Sequence, residues 1–256
     1  MLVPNHNVPL PQCLVSARDK AAAPISCEPC SAGLRCSLRE LEKGQYLFFQ
    51  GDSQTYVYRV QTGGLVAFLS LASGRRQVVD FALPGDLIGF GSDHQFQFTA
   101  QAIARTELRC IPRDELKRRS LEDPRLAWTL YEASVSQLHD TYEQLLTTGQ
   151  RAPEEKLAAF LVAMARRNAR HGGDPAIIPL PMMRTDIADY LGLTSETISR
   201  TFTHFRTKKL IEIRSYRRIR LIQPERLAQL ASGMRLPQTR IGLLQAGHSA
   251  NERELN

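Results

Sequence analysis

Several classes of protein are excluded by what this chain of 256 residues lacks. It has no run of roughly 18 uninterrupted apolar residues, the length that a membrane helix requires. Its N-terminus has prolines where a secretory signal has an apolar centre, and no basic region precedes them. We therefore expect a cytoplasmic protein with no membrane segment.

Catalytic patterns are also missing from the sequence. No Ser-His-Asp set, phosphate-binding loop or pair of carboxylates stands out. The glycine pairs are turn glycines without the following helix that a phosphate cradle needs. We therefore expect a protein that is not an enzyme.

What the sequence does have is an excess of basic residues. The formal net charge is +7, and arginines concentrate after Ala165 and again between Arg200 and Arg220. Neutralisation of phosphates dominates the affinity of proteins for nucleic acids. The basic C-terminal half therefore predicts a nucleic-acid partner, although a solvated basic face gives the same pattern.

The order of apolar patterns predicts an α+β chain. Short β-type runs separated by Gly turns occupy residues 42–112, which favours a β-roll of the jelly-roll type. After Asp123-Pro124 the apolar spacing becomes helical. The predicted parts are a flexible N-terminus (1–26), a cysteine-rich segment (27–41), a β-roll sensor domain (42–119), a dimerisation helix (120–149), a winged helix-turn-helix domain (150–232) and a polar tail (233–256).

The predicted dimerisation helix carries a heptad seam with apolar residues at spacings of three and four. Such a stripe can pack on the chain's own β-domain or pair with a second subunit. We predict a homodimer, because the register is strict and a reader of palindromic DNA needs two copies. The seam consists of Trp128 and the five residues predicted at the interface, Tyr131, Val135, Leu138, Tyr142 and Leu145.

Residues 184–210 have the pattern of a helix-turn-helix. Ala188 is small where two helices cross, Gly192 supplies the turn, and Thr194 or Ser195 caps the second helix. That helix is predicted to enter the major groove. The predicted DNA contacts are Ser195, Glu196, Ser199 and Arg200 at its exposed start, and Arg214, Arg217 and Arg218 in a basic β-hairpin wing. The alternative is a basic pair of helices that binds no DNA.

In this order, the β-domain, long helix and helix-turn-helix resemble the Crp/Fnr superfamily of bacterial transcription regulators. The blocks LGLTSETISR (191–200) and PEEKLAAFLVAMARR (153–167) are similar to its Fnr/FixK branch. Glu196, Ser199 and Arg200 match the E-x-x-S-R triplet with which that branch reads the half-site TTGAT. The resemblance implies a dimeric activator that binds a TTGAT-N4-ATCAA palindrome and works with RNA polymerase.

The resemblance also limits the effector. Cyclic-nucleotide members bind their ligand through a Gly-Glu pair and a later Arg-Ser pair. The corresponding segments here read PGDL (84–87) and QFTA (97–100), which lack an arginine for the phosphate. We therefore do not expect a cyclic-nucleotide ligand.

Three of the five cysteines lie close together, and clustered thiols without a secretory signal point to a metal or a cluster. The spacing Cys27-x2-Cys30-x5-Cys36 is similar to that of oxygen-sensing Fnr proteins, which hold a [4Fe-4S] cluster through three such cysteines and one from the β-roll. The resemblance implies Cys27, Cys30, Cys36 and Cys110 as ligands, and activation of anaerobic or microaerobic genes at low oxygen.

Two departures from the Fnr pattern affect this prediction. Cys110 directly precedes Ile111-Pro112, so Arg109 stands where the pattern has its cysteine, and a bulge would be needed to restore the register. The segment after Cys36 is also shorter than in oxygen-sensing relatives. A thiol switch, a zinc site and a clusterless FixK-like regulator remain alternatives, as does Cys13 or a non-cysteine group as fourth ligand.

Overall fold

The computed structural model describes residues 25–26, 36–72, 74–91, 94–150, 152–215 and 218–233. Cys13, Cys27, Cys30 and Arg217 lie outside the described residues, as does the predicted polar tail beyond Gly233. Within the described part of the chain, no helix is both long and apolar enough to cross a membrane.

The N-terminal half forms a β-roll, because short runs rich in valine, phenylalanine and tyrosine pair across Gly turns. Two antiparallel sheets have the strand orders β1-β2-β9-β4-β7 and β3-β8-β5-β6. The turn after β4 requires Gly63, since a Cβ atom there would lie 2.3 Å from the carbonyl oxygen of Arg105. The strands are β1 (Ile25–Ser26), β2 (Ser37–Leu41), β3 (Tyr46–Phe48), β4 (Tyr56–Thr62), β5 (Leu65–Ser70), β6 (Arg76–Ala82), β7 (Leu87–Ile88), β8 (Thr99–Ala102) and β9 (Thr106–Pro112).

Two helices follow the roll where the sequence predicted one over 120–149. The first, α1, spans Arg113–Glu122, and the second, α2, spans Pro124–Gln150. Asp123 separates them with extended backbone angles (φ −118°, ψ 102°). The break has a local cause, because a residue that precedes proline is disfavoured in the α conformation.

The C-terminal domain is a winged helix-turn-helix, as the sequence predicted. A three-stranded sheet of order β10-β12-β11 lies beside four helices. The α+β fold with a β-roll, a long helix and this domain is thus confirmed. The elements are α3 (Pro153–Arg170), β10 (Ile177–Pro179), α4 (Arg184–Leu191), α5 (Ser195–Thr207), β11 (Ile211–Ser215), β12 (Arg218–Leu221) and α6 (Pro224–Ala231).

One hydrophobic core extends from the roll into the C-terminal domain. Phe81 on β6 is fully buried, and its ring lies 6.2 Å from that of Phe160 on α3 and 5.3 Å from that of Tyr190 on α4. Burial of aromatic rings contributes strongly to packing. The roll and the DNA-binding domain are therefore packed against each other within a single chain.

Candidate nucleic-acid interface and sensor site

The helix-turn-helix is built from α4, a glycine turn and α5. Gly192 ends α4 in the left-handed conformation (φ 64°), which is common for a glycine at the C-terminus of a helix. Thr194 caps α5, because its Oγ1 accepts a hydrogen bond of 3.1 Å from the backbone N–H of Thr197. Ile198, Phe202 and Phe205 are buried, so the opposite face of α5 points to solvent.

The four predicted base-reading residues, Ser195, Glu196, Ser199 and Arg200, are all exposed and lie together at the start of α5. Arg200 Nη2 is 3.9 Å from Glu196 Oε1, and the two side chains are 72% and 78% exposed. An exposed pair of this kind is held weakly. Both side chains are therefore available to base edges.

Arg184 couples the two helices of the motif. Its guanidinium carbon lies 3.3 Å from the centre of the Phe202 ring, a close cation–π contact between α4 and α5. The contact joins the first residue of α4 to the buried face of α5.

The predicted wing is the hairpin formed by β11 and β12, which contains a register shift between Ile213 and Ser215. Arg214 and Arg218 are exposed on it, and Arg214 Nε lies 3.3 Å from Glu212 Oε2. Contact of these two cations with phosphates stays a prediction, and both are exposed as such a contact requires.

The heptad seam on α2 is not packed on the chain's own roll. All six of its side chains are exposed, from 46% for Val135 to 68% for Leu145. Leu126 and Leu130, on another face of α2, pack instead against the cluster around Cys36. The seam is therefore a solvent-exposed apolar surface in the single chain.

The structure places the side chains of Cys36 and Cys110 on opposite faces of one sheet. Cys110 pairs with Ser37 and Tyr58 on the neighbouring strands, and its side chain belongs to the core inside the roll. Cys36 packs on the opposite face of the same sheet, in a cluster with Ile111 and Leu116. Successive residues of a strand point to opposite faces, so Cys110 and Ile111 cannot share one.

No bulge restores the register at Cys110. Five consecutive pairs join β2 to β9 without a shift, and the shift between β4 and β9 falls at Val60 and Thr62. Arg109 lies two residues before Ile111 on β9 and shares its face of the sheet. The buried Nε of Arg109 has no hydrogen-bond partner. Among the described residues, no three of His, Cys, Asp and Glu are grouped as a metal site. Cys36 and Cys110 therefore do not share one site in this arrangement, and the four-cysteine set stays a prediction because Cys27 and Cys30 lie outside the described residues.

The environment of Cys110 is that of a core thiol. Burial raises the pKa of Cys110, against the opposing effects of the Arg39 charge and the hydrogen bond with Ser37. Burial also raises the pKa of Tyr58, opposite Cys110 on β4, to about 12. A thiol whose pKa is raised by burial carries little thiolate at neutral pH and reacts slowly.

Comparisons with known proteins agree with this architecture. Residues 155–230 match the family described as a Crp-like helix-turn-helix domain, and residues 38–122 match the cyclic nucleotide-binding domain. The nitrogen fixation regulation protein FixK of Rhizobium meliloti is 39% identical over 189 residues, which cover 74% of this chain and 84% of that protein. The chain belongs to the Crp/Fnr family of transcription regulators.

Further Crp/Fnr relatives support this assignment. The transcriptional activator protein Anr of Pseudomonas protegens is 34% identical over 197 residues, 76% of this chain and 80% of that protein. The structure of FixK2 from Bradyrhizobium japonicum superimposes with a TM-score of 0.70 at 32% identity, covering 77% of this chain and 98% of that one. Regulators of this family bind DNA and are dimeric, which agrees with the exposed recognition helix and seam.

The roll of this Crp/Fnr regulator is filled by its own aromatic side chains. The rings of Phe48 and Phe96 stack with centroids 3.6 Å apart, and Tyr58 lies 5.9 Å from Phe48. All three residues are at most 6% exposed. The domain thus has the fold of a cyclic nucleotide-binding domain, but aromatic side chains occupy its interior.

Sequence reasoning missed the residues that join the roll to the DNA-binding domain of this Crp/Fnr regulator. Arg167 continues the buried stripe of α3 that includes Phe160 and Met164, at spacings of four and three. His171 follows four residues later as the exposed C-cap of the helix. The sequence did offer one signal, an arginine on the apolar stripe of a helix. Buried charges are nearly always paired, so this position predicts an acidic partner elsewhere in the fold.

Proposed function

We propose that this chain is a homodimeric transcription activator that binds a TTGAT-N4-ATCAA-like palindrome. The observation that carries the proposal is the common exposed face of Glu196, Ser199 and Arg200 at the start of α5. Arg can bond bidentately to guanine and Glu can accept from cytosine N4. The half-site centres of such a palindrome are about nine base pairs apart, close to the one helical turn that a dimeric helix-turn-helix reader spans.

Activation requires a second partner besides DNA. A regulator that binds beside a promoter raises transcription by contacting RNA polymerase. We therefore propose RNA polymerase as a partner and the cytoplasm as the location of the protein. The basic wing contributes to DNA binding without selecting sequence, because phosphates carry no base information. Selection among sites therefore rests on the start of α5.

The proposed input is low oxygen, sensed through a [4Fe-4S] cluster on Cys27, Cys30 and Cys36. The support for it is the spacing of these three residues in the sequence. Cys110 does not fit as their fourth ligand, because it faces the interior of the roll while Cys36 packs on the other face of the sheet. A clusterless FixK-like regulator of the same DNA site is the second candidate, and this separation of the two cysteines favours it.

The two candidates are separated by gel-shift titrations of the TTGAT palindrome and of a scrambled site, with and without oxygen. Binding of the palindrome but not of the scrambled site supports the regulator proposal. Absence of a shift both with and without oxygen contradicts it. An anoxic ultraviolet–visible spectrum with iron and sulfide analysis tests the cluster. Iron-containing protein that loses DNA binding in air supports oxygen sensing. Colourless, iron-free protein that binds equally in air supports the clusterless regulator.

Replacing Cys110 with alanine is expected to leave DNA affinity and iron content within about twofold of wild type. The same change should lower the free energy of unfolding by about 1 kcal/mol, as is typical when a small core side chain is truncated. Denaturant unfolding, gel shift and iron analysis measure these effects. Cys36→Ala is the matched control in the cysteine-rich segment. Loss of iron or of oxygen response in Cys110→Ala would show that Cys110 is a ligand after all.

A further inference from the structure

A buried arginine joins the DNA-binding domain to the roll. Arg167 on α3 donates two hydrogen bonds to Asp80 on β6, Nη1 to Oδ1 at 2.9 Å and Nη2 to Oδ2 at 3.2 Å. Its Nε lies 2.8 Å from Oδ2 of Asp86 in the turn after β6. The side chain of Arg167 is only 10% exposed. Each edge of the guanidinium therefore faces a carboxylate of the other domain.

The turn that carries Asp86 fits closely against the end of α3. His171 Nε2 donates to Asp86 Oδ1 at 2.9 Å. A Cβ atom at Gly85 would lie 2.4 Å from the His171 ring, so only glycine allows this approach. Burial alone would raise the pKa of Asp86, but the hydrogen bond from His171 and the charge of Arg167 outweigh it and hold that pKa below its ordinary value.

A second set of contacts joins β6 to the first helix of the helix-turn-helix. Arg76 Nε lies 3.1 Å from Asp189 Oδ2, and its Nη2 bonds the buried carboxylate of Asp186. Gln77 Nε2 donates to the backbone oxygen of Asp189 at 3.0 Å. Asp186 Oδ2 also accepts from the backbone N–H of Met183, at the start of α4. The roll therefore contacts the helix that packs directly against the recognition helix.

These contacts restrict the orientation of the DNA-binding domain on the roll as well as its distance from the roll. A guanidinium that bonds one carboxylate bidentately and a second through Nε has one favourable orientation, because its donors form a planar fork. The pairs lie at two separate places, one on α3 and one on α4, so the domain cannot pivot about either alone. Only residues 151 and 152 separate α2 from α3. Without the ion pairs, the apolar contacts of Phe81 with Phe160 and Tyr190 would still hold the domain against the roll, but they lack the directional preference of the guanidinium fork.

We infer that Arg167 and Arg76 are positioning residues that set the separation of the two recognition helices in the dimer. Each pair fixes the DNA-binding domain to the roll of its own chain, and the seam fixes the two chains to each other. The docked arrangement leaves the reading face of α5 exposed, so it is compatible with DNA binding. The inference rests on the proposed palindrome, because it concerns the spacing of that palindrome's half-sites.

The spacer between the half-sites provides the test. Each added base pair moves one half-site by roughly 3.4 Å along the axis. It also rotates that half-site by about 35° on a helix of 10–10.5 base pairs per turn. Wild-type protein is titrated against duplexes with spacers of N4, N5 and N6 and against a duplex with one half-site. We expect N6 to bind at least about tenfold more weakly than N4, a penalty comparable to that of one mismatched base pair.

The double variant Asp80→Asn with Arg76→Gln removes one partner from each set of contacts. We expect it to bind N4 and N6 with affinities within about threefold of each other, less than the penalty of a typical mismatch. Its affinity for a single half-site should remain that of wild type. A general loss of folding would lower this affinity, so the measurement separates unfolding from loss of positioning. Should the double variant fail to fold, Arg167→Lys keeps the charge and removes the fork, and the same loss of spacer discrimination is expected.

The control is Arg118→Gln, because Arg118 forms its ion pairs with Glu115 and Glu122 inside α1. It should discriminate between spacers as wild type does. The inference would be overturned if the double variant, or Arg167→Lys, folded and still bound the N4 duplex tenfold more tightly than the N6 duplex. It would also be overturned if wild-type protein bound the N4 and N6 duplexes equally. Wild-type protein that binds none of the duplexes would instead contradict the proposed function.

Discussion

Replacing Arg200 with alanine is expected to weaken binding of the TTGAT palindrome by at least about 30-fold and to abolish the preference for guanine in the half-site. A bidentate contact between arginine and guanine contributes about 1–3 kcal/mol of discrimination, and the palindrome contains two copies of it. A loss of at least about 2 kcal/mol in total corresponds to this factor. Fluorescence anisotropy with TTGAT and TTAAT half-sites measures both effects.

A loss of phosphate contacts has a different signature. Arg214→Ala in the wing removes an exposed cation of the same type, 46% exposed, that faces no base in this scheme. It should weaken binding to both half-sites equally and lower the slope of log affinity against log salt by about one per contact. If Arg200→Ala behaved in this way and retained the guanine preference, Arg200 would be a phosphate contact and the assignment of the reading residues would fail.

Replacing Leu138 with aspartate is expected to raise the dissociation constant of the dimer by about a thousandfold. Leu138 lies in the middle of the seam and is 51% exposed in the single chain. In a two-fold dimer the substitution occurs twice at the same interface. Each copy loses roughly 2 kcal/mol of apolar burial, and about 4 kcal/mol in total corresponds to this factor. Analytical ultracentrifugation over a concentration series measures the shift.

The matched control is Leu121→Asp. Leu121 is 82% exposed on α1 and lies outside the seam, so the same chemical change there should leave dimerisation unaltered. Palindrome binding should fall with dimerisation in the Leu138 variant and stay unchanged in the control. Dimers of wild-type strength in Leu138→Asp would show that α2 uses another face, and that the exposed seam serves a different contact.

Local pattern was sufficient for the DNA-binding half of the molecule. The cap at Thr194, the turn at Gly192 and the buried stripe from Ile198 to Phe205 depend on residues within one or two helical turns of each other. Such features are governed by local geometry and the helical period. The predicted reading residues and the predicted wing residues in the described part of the chain are therefore exposed in the structure.

The boundary between roll and helix was less well predicted. The sequence assigned residues 42–119 to the β-roll and did not separate α1 from it. The strand β2 lies inside the segment that was assigned to the cysteines. Strand β2 reads as polar because its residues alternate between the two faces of the sheet, and only pairing with β9 makes it a strand. Strand formation depends on distant partners more than helix formation does.

The sequence by itself determined that this chain is a regulator of the Crp/Fnr type, with a helix-turn-helix, a basic hairpin and an exposed apolar seam on its long helix. The tertiary structure decided which face of the sheet Cys110 occupies and which residues join the two domains. Both depend on contacts between residues far apart in the chain, such as Cys110 with Ser37 and Arg167 with Asp80. A one-residue change of register reverses the face of every side chain in a strand, and spacing along the chain does not specify the register.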